Sequence, residues 1–303
     1  MTRTGSALRA GRAAPLHGRT VVVTGAARGI GAALVRELSR RGARPALLGH
    51  EGPALEAVAA SLPTPALAHE ADITDDASLE RAAAVVRERL GPPYAVVANA
   101  GVAEAGPFAT SDPADWRRVV DVNLTGSAAT ARTFLPDLFG TKGYYLQVAS
   151  LASLAAAPMM SAYCASKAGA ESFAHSLRAE VAHRGVDVGI GYLNWIDTAM
   201  IRDADRFPVM RELRAHLPWP ARRTLTPEQA ADRLATAVEQ RSAAVYLPRW
   251  LRLAQAARAA LPPAVLWVTR RELGRLEAED PLRHTGLLGG GGAADRRAAR
   301  PHP

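Results

Sequence analysis

Short apolar runs alternate along the chain with longer stretches in which apolar residues recur at helical spacing. The first run, residues 20–23, is β-branched throughout and typical of a strand buried on both faces of a parallel sheet. Further predicted strands are 46–48, 67–68, 94–98, 144–148, 186–193 and 244–247, and predicted helices are about 30–41, 53–62, 75–90, 115–138, 161–184 and 226–240. This alternation predicts βαβ units, and therefore an α/β fold with a doubly wound parallel sheet and helices on both faces.

A glycine-rich turn, Thr24 to Gly31, directly follows the first predicted strand. Glycine allows a tight turn and close backbone approach, and the next helix would point its N-terminal amides at a pyrophosphate. Any strand-to-helix turn can be rich in glycine, so the motif alone is weak evidence. Within a βαβ series it predicts a Rossmann-type dinucleotide-binding domain, which we assign to residues 18–248.

Polar residues follow most of the predicted strands at the point where each strand ends. They are Gly49-His50, Asp72, Asn99-Ala100-Gly101, Ser150 and Asn194 to Thr198. In a doubly wound sheet, ligands collect in a crevice at the carboxyl ends of the strands. Each residue taken singly could belong to an ordinary surface loop. Taken together, they predict a single crevice.

Tyr163 and Lys167 lie four residues apart in a predicted helix, which puts both on one face. A nearby cation favours the phenolate and lowers a tyrosine pKa, so Tyr163 could act as a general acid or base. Only Lys142 and Lys167 are lysine among 37 basic residues, which indicates that Lys167 was selected for its chemistry. A surface pair on an amphipathic helix would show the same spacing.

Combined, these motifs resemble the short-chain dehydrogenase/reductase (SDR) family over roughly residues 18–248. The turn matches the TGxxxGIG form of that family, and Asn99-Ala100-Gly101 resembles its NAG segment. Asn123 lies 40 residues and Ser150 lies 13 residues before Tyr163, as in the family. The resemblance implies these cofactor-binding residues: Gly25, Arg28, Gly29, Ile30, Gly31, His50, Asp72, Asn99, Ala100, Gly101, Tyr163, Lys167 and Thr198.

The resemblance also implies a catalytic set. In it Ser150 hydrogen-bonds the substrate oxygen and Tyr163 passes the proton. Lys167 lowers the pKa of Tyr163 and binds the nicotinamide ribose, and Asn123 positions a proton-relay water. Ser153 lies close to Ser150 and could exchange roles with it, although the spacing favours Ser150. The predicted reaction is hydride transfer between nicotinamide and a carbonyl or alcohol.

Cofactor choice depends on the residues that end the second strand, Gly49-His50-Glu51. Family members that use NAD usually present an acid to the ribose at the position of Gly49, and His50 stands where NADP enzymes often have arginine. Arg28, in the glycine turn, is a second cation for a 2′-phosphate. We predict NADP, with NAD as the alternative if Glu51 contacts the ribose.

Two positions depart from the family. Ala98 replaces the first asparagine of an NNAG segment, and Asn194-Trp195 replaces a Pro-Gly pair. Trp195 could narrow the substrate pocket or pack beneath the following loop. With Met160, Phe207 and Met210 it forms our predicted contact set for an apolar substrate, although such residues more often form core. Because of Trp195, a non-catalytic dinucleotide-binding redox sensor or scaffold stays open as an alternative function.

Charge and composition exclude several other classes. The net charge of +8 resides at the ends, with +4 in residues 1–20 and +6 in 241–303, and aromatic content is 5%, so no nucleic-acid partner is predicted. The single cysteine, Cys164, excludes an intramolecular disulfide, and no metal site is predicted. Without a continuous apolar run for a signal or a membrane span, we predict a cytoplasmic location.

Beyond residue 248 the sequence predicts an amphipathic helical extension, residues 249–285. Its apolar stripe is Trp250, Leu253, Ala254, Ala257 and Leu261, and arginines occupy the other side. The stripe could dock on the body, on another subunit of an expected homo-oligomer, or on an anionic membrane through residues 249–276; docking is favoured. Residues 1–17 are predicted to be a flexible basic lead-in and residues 286–303 a disordered tail.

Overall fold

The computed structural model describes residues 15–217, 219–279 and 281–298. Its seven-stranded parallel sheet has the order β3-β2-β1-β4-β5-β6-β7. The strands are β1 Thr20–Thr24, β2 Arg44–Gly49, β3 Leu67–Glu70, β4 Ala95–Ala98, β5 Tyr144–Ser150, β6 Asp187–Leu193 and β7 Ala244–Leu247. From β1 the chain adds β2 and β3 on one side of the sheet and β4 to β7 on the other, which confirms the predicted fold class.

Helices cover both faces of this sheet. They are α1 Gly29–Arg40, α2 Gly52–Ala60, α3 Asp76–Leu90, α4 Pro113–Val120, α5 Gly126–Thr141, α6 Ser161–Val181, α7 Ala199–Ala204, α8 Pro208–Ala215, α9 Trp219–Arg222, α10 Pro227–Gln240, α11 Leu251–Ala256, α12 Leu261–Glu279 and α13 Gly289–Ala298. Val21 and Val23 of β1 pack in the cluster that contains α1, α2 and α10. Val22 packs with α3, α5 and α6 on the opposite face. Both faces of β1 are therefore buried, as the run of β-branched residues predicts.

The predicted helix 115–138 is not continuous. α4 ends at Val120, a π-helical turn covers Asp121–Thr125, and α5 begins at Gly126. Such turns inside helices are frequent at functional sites because they shift the direction in which side chains project. Here the turn carries the fully buried Asn123.

The extension after β7 lies on the enzyme body. Leu251 of α11 is fully buried among residues of α6 and the sheet, and Trp250 and Leu261 pack against the same cluster. Arg258 Nη1 contacts the buried carboxylate of Glu171 at 3.2 Å. Further along, Leu276 of α12 is buried in a cluster with Val209 and Met210. Of the three locations left open by the sequence, the structure shows docking on the body for α11 and for the carboxyl half of α12, whereas Leu266 and Trp267 of α12 are exposed.

The apolar stripe predicted for this extension is wrong in two positions, Leu253 and Ala257, which are both exposed. Leu253 is 74% exposed, and Leu251 is the leucine that packs. The cause is the shortness of α11, which ends at Ala256 and gives way to a separate turn, Arg258–Ala260, so one continuous helical phase does not run through the segment. Pro262-Pro263 stand in the first turn of α12.

These two leucines give a matched test of the docking. We expect Leu251→Ala to lower the free energy of unfolding by about 2–5 kcal/mol, because it removes buried methyl groups and leaves a cavity. Leu253→Ala should change it by less than about 0.5 kcal/mol. Denaturant unfolding of both variants measures the difference. Equal effects of the two substitutions would contradict the assignment.

The prediction of disorder from residue 286 is wrong as far as residue 298. Residues 289–298 form α13, and Leu287, Leu288 and Ala294 are buried. Residues 299–303 lie outside the described residues, as do residues 1–14 of the predicted lead-in. Leu16, also placed in that lead-in, is fully buried in the core. Within the described ranges, the membrane-span criteria of length and hydropathy are met by no helix.

Candidate active site

A cavity of about 780 Å³ lies at the carboxyl ends of β1, β4, β5 and β6. Most of the predicted site residues line it. They are Gly25, Arg28, Gly29, Ile30, Gly31, His50, Asn99, Ala100, Gly101, Ser150, Tyr163, Lys167 and Thr198. Asp72 and Asn123 are not among the described lining residues, although Ala71, Ile73 and Val122 beside them are. The topology thus brings five separate loops to one crevice.

The glycine turn has room for a ligand only because side chains are absent. Gly25 and Gly29 have φ values of +66° and +52°, which favour glycine. A Cβ on Gly31 would lie 2.2 Å from the carbonyl oxygen of Gly25. Helix α1 starts directly behind this turn, and its first turn holds no acidic residue. A pyrophosphate therefore fits here, on the amides of the helix N-terminus.

The segment after β4 is tied to the glycine turn. Thr24 Oγ1 accepts hydrogen bonds from the amides of Asn99 and Ala100, both at 3.1 Å. Asn99 Nδ2 in turn donates to the carbonyl of Thr24 at 2.9 Å. These bonds fix the ends of β1 and β4 relative to each other, which keeps the crevice open between them.

Ser150 and Tyr163 both line the crevice, and the Ser150 side chain is close enough to lower the pKa of Tyr163. Ser150 also caps the short turn Leu151–Ser153 by accepting from the amide of Ala152 at 3.2 Å. Ser153 has a different place, because its Oγ is buried and donates to the carbonyl of Lys167 at 3.0 Å. Ser150 is thus the serine that reaches the site, and Ser153 supports the turn and the helix behind it.

Lys167 is 4% exposed, and its Nζ donates to the carbonyl of Val148 at 3.1 Å. Nζ lies 5.9 Å from the centre of the Tyr163 ring. Burial lowers the pKa of Lys167 to about 8, since an ammonium group loses hydration inside the protein. The helix therefore places the cation beside the phenol, as the spacing of the two residues predicts.

The expected lowering of the Tyr163 pKa is wrong for this structure. Burial raises the pKa of Tyr163, and the hydrogen bond with Ser150 only partly opposes that rise. The physical reason is that loss of hydration destabilises the phenolate more than the Lys167 ammonium, 5.9 Å from the ring centre, stabilises it. Tyr163 is consequently a neutral phenol near pH 7, which is a proton donor.

Asn123 stands behind the crevice. Its Oδ1 accepts from the amide of Val102 at 2.9 Å, and its Nδ2 donates to the carbonyl of Val102 at 2.9 Å and to Ser166 Oγ at 3.0 Å. A Cβ on Gly101 would lie 3.0 Å from Oδ1. The side chain thereby holds the strand-end segment against α6. Its relay-water role stays a prediction.

Charged residues gather at the other end of the crevice. Arg28 forms an ion pair with Glu51, and His50 Nε2 lies 3.8 Å from Asp72 Oδ1. Burial raises the pKa of Asp72. Hydrogen bonds from Thr74 and the nearby His50 and Arg118 lower it by more, so the net pKa lies below the ordinary value. Asp72 is thus ionised at neutral pH.

Two residues at this end of the crevice were not predicted from the sequence. Arg118 of α4 donates to Thr74 Oγ1 at 2.8 Å and binds Asp295 of α13 through bonds of 2.6–3.0 Å. Asp295 lines the crevice with Gly290 and Gly291. Nothing local marks these residues, because the row of glycines before Asp295 favours disorder and the partner arginine is 177 positions away.

The predicted substrate contacts are not brought together in the crevice. Met160 and Met210 are buried in a cluster with Phe207 packed against it, and the Trp195 ring lies 5.4 Å from the guanidinium carbon of Arg214. None of these four predicted contacts is among the described lining residues. Other residues from the same part of the chain line the cavity instead, among them Asn194, Met200, Ile201 and Arg202.

The sequence is similar to that of a known family and of several known proteins. The sequence pattern of the family described as short chain dehydrogenase matches residues 19–207. An acetoacetyl-CoA reductase from Synechocystis sp. is 35% identical over 222 residues, which is 71% of this chain and 86% of the relative. A meso-2,3-butanediol dehydrogenase from Serratia marcescens is 36% identical over 150 residues, or 49% of this chain and 60% of the relative.

Solved structures agree with these relatives. A metagenomic short-chain oxidoreductase in complex with NADP superimposes with a TM-score of 0.63 at 28% identity, covering 77% of this chain and 97% of the other. The gox2181 structure has a TM-score of 0.71 at 24% identity, covering 76% and 94%, and shares the fold. With the crevice, the glycine turn and the Tyr163 helix in place, the chain belongs to the short-chain dehydrogenase family and is an oxidoreductase.

Proposed function

We propose that this enzyme uses NADP(H) to interconvert a carbonyl group and an alcohol on an apolar substrate, with Tyr163 as the general acid or base. The observation that carries the proposal is the arrangement of Ser150 and Tyr163, which both line the crevice with Lys167 beside them. The nicotinamide cofactor supplies or accepts the hydride when it is bound. The chain's own task is to orient the carbonyl and to move one proton.

In the reducing direction Tyr163 is the proton donor. Its raised pKa keeps the phenol protonated at neutral pH, so the hydroxyl hydrogen is available to the oxygen that gains charge. Ser150 lines the crevice beside that phenol, so its hydroxyl can donate to the same oxygen. The Lys167 ammonium stabilises the phenolate left after proton transfer.

NADP is favoured over NAD by charge. His50 and Arg28 both line the crevice at the end where Gly49 replaces an acid, and Arg36 adds a third cationic side chain to the lining. A metagenomic relative of known structure was solved with NADP. An apolar substrate is supported by Met200 and Ile201, which also line the cavity. The non-catalytic alternative loses its basis, because it depended on Trp195 filling the crevice.

Steady-state assays with a series of methyl ketones of increasing chain length, and with acetoacetyl-CoA, test this function. We expect NADPH to be oxidised with a higher kcat/KM than NADH. The value of kcat/KM should rise by roughly twofold to fourfold for each methylene that enters the apolar end. Faster oxidation of NADH would overturn the cofactor assignment. Turnover that is independent of chain length would overturn the apolar substrate, and activity confined to acetoacetyl-CoA would assign a thioester instead.

A further inference from the structure

The C-terminal segment, residues 281–298, forms one rim of the cofactor crevice. Thr285 and Leu288 donate their amides to the carbonyls of Ala105 and Ala103 at 2.7 and 2.8 Å, in the loop that follows β4. On the other side the amide of Gly289 donates to Asp203 of α7 at 3.0 Å. The segment therefore bridges two loops that border the crevice.

α13 forms the last part of this segment and lies beside the basic side chains of Arg118 and His50. The Asp295 side chain is almost fully buried, and both of its carboxylate oxygens accept hydrogen bonds from Arg118. Its Oδ1 also lies 3.6 Å from His50 Nε2. The carboxylate is thus held by one guanidinium in the two-oxygen geometry that suits a phosphate equally well.

Three of the basic side chains at this end already face a carboxylate of the chain. Arg28 is paired with Glu51, while His50 and Arg118 are shared between Asp72 and Asp295. A phosphate monoester carries a charge of roughly −1.5 to −2 at pH 7. A 2′-phosphate placed next to His50 would therefore meet the charge of Asp295, and the guanidinium of Arg118 beside it is already paired.

We propose that Asp295 is a cofactor-specificity residue. Its carboxylate competes with the 2′-phosphate of NADP for His50 and Arg118, and so reduces the margin by which the crevice prefers NADP to NAD. NAD has a hydroxyl at that position, so its binding leaves the Asp295–Arg118 pair in place. This inference rests on the proposed function, since it requires a dinucleotide in the crevice.

The test is the ratio of the Kd for NADH to the Kd for NADPH, measured by fluorescence titration of the full chain. In Asp295→Asn we expect this ratio to rise about tenfold or more, chiefly through tighter binding of NADPH. Asp295→Glu keeps the charge and should keep a ratio near that of the wild type. Asp137→Asn is the matched control, because Asp137 forms a similar two-oxygen pair with Arg87 away from the crevice.

The possible outcomes distinguish failure of the inference from failure of the proposed function. An unchanged ratio in Asp295→Asn, or equal tightening of both dinucleotides, would overturn the inference while leaving the proposed function intact. If neither dinucleotide bound the wild type or any variant, the proposed function would fail together with the inference. A variant that is unstable alone can be compared by its thermal shift with each dinucleotide, which follows the same two Kd values.

Discussion

The Tyr163→Phe variant is expected to lose about 10²–10⁴-fold in kcat for carbonyl reduction, because proton transfer by a positioned side chain contributes that much. The phenylalanine ring fills the same space and removes only the hydroxyl beside Ser150. Binding of NADPH should change by less than about threefold, since the cofactor's phosphates are held elsewhere. Stopped assays of product formation and a separate titration of NADPH binding measure the two quantities.

Tyr246→Phe provides the matched control for this change. Tyr246 lies on β7, where its ring stacks on that of Tyr192 with centroids 4.9 Å apart. It is not among the described residues that line the crevice. Loss of its hydroxyl should leave kcat near the wild-type value. If Tyr163→Phe retained more than about a tenth of wild-type kcat, another group would have to be the proton donor.

The Lys167→Met variant is expected to be less active and, at neutral pH, more stable than the wild type. Lowering the pKa of a buried lysine from 10.5 to about 8 corresponds to roughly 3 kcal/mol that the folded state loses while the ammonium stays charged. Losing the hydrogen bond to Val148 offsets about 1 kcal/mol of the gain. We therefore expect the free energy of unfolding to rise by about 2 kcal/mol at pH 7.

The dependence on pH has a definite sign. Below about pH 8 both the folded and the unfolded wild type hold the proton of Lys167, so the full cost of burying its charge is present. Between about pH 8 and 10.5 only the unfolded chain holds it, and the stability of the wild type rises with pH. The advantage of Lys167→Met should thus shrink across this range.

Unfolding curves at neutral and alkaline pH would measure this effect, with Lys142→Met as the control. Lys142 is the only other lysine in the chain, and it is exposed at the end of α5. Its replacement should leave stability nearly unchanged. A Lys167→Met variant less stable than the wild type at pH 7 would show that the ammonium is stabilised by contacts stronger than its bond to Val148.

How much could be predicted from the sequence depends on the range of the interactions. The strands of the sheet and the Tyr163 helix follow from local periodicity, so a parallel sheet with a crevice at its carboxyl edge could be predicted. The order of the strands was not predicted. The break at Asp121–Thr125 could not, because its residues continue a helical pattern and only packing interrupts it. Trp195 and Met160 illustrate a second limit, since apolar residues near a crevice can pack inward or line it with the same sequence pattern.

For α13 the error is the opposite one, because a segment predicted to be disordered forms a helix. Its four consecutive glycines have low helix propensity, and local reasoning therefore predicts disorder. What holds the helix are contacts across the fold, such as Asp295 with Arg118 and Leu288 with Ala103. Tertiary contacts of this kind leave no periodic signal in the sequence.

The position of the C-terminal segment also sets an order of events during synthesis. All seven strands and the Tyr163 helix precede residue 281, so the ribosome releases them before the segment that closes the crevice rim. Because domains begin to fold as they emerge, the newly made crevice passes through an interval in which Arg118 and His50 stand without Asp295. In that interval the carboxylate that faces both side chains is that of Asp72.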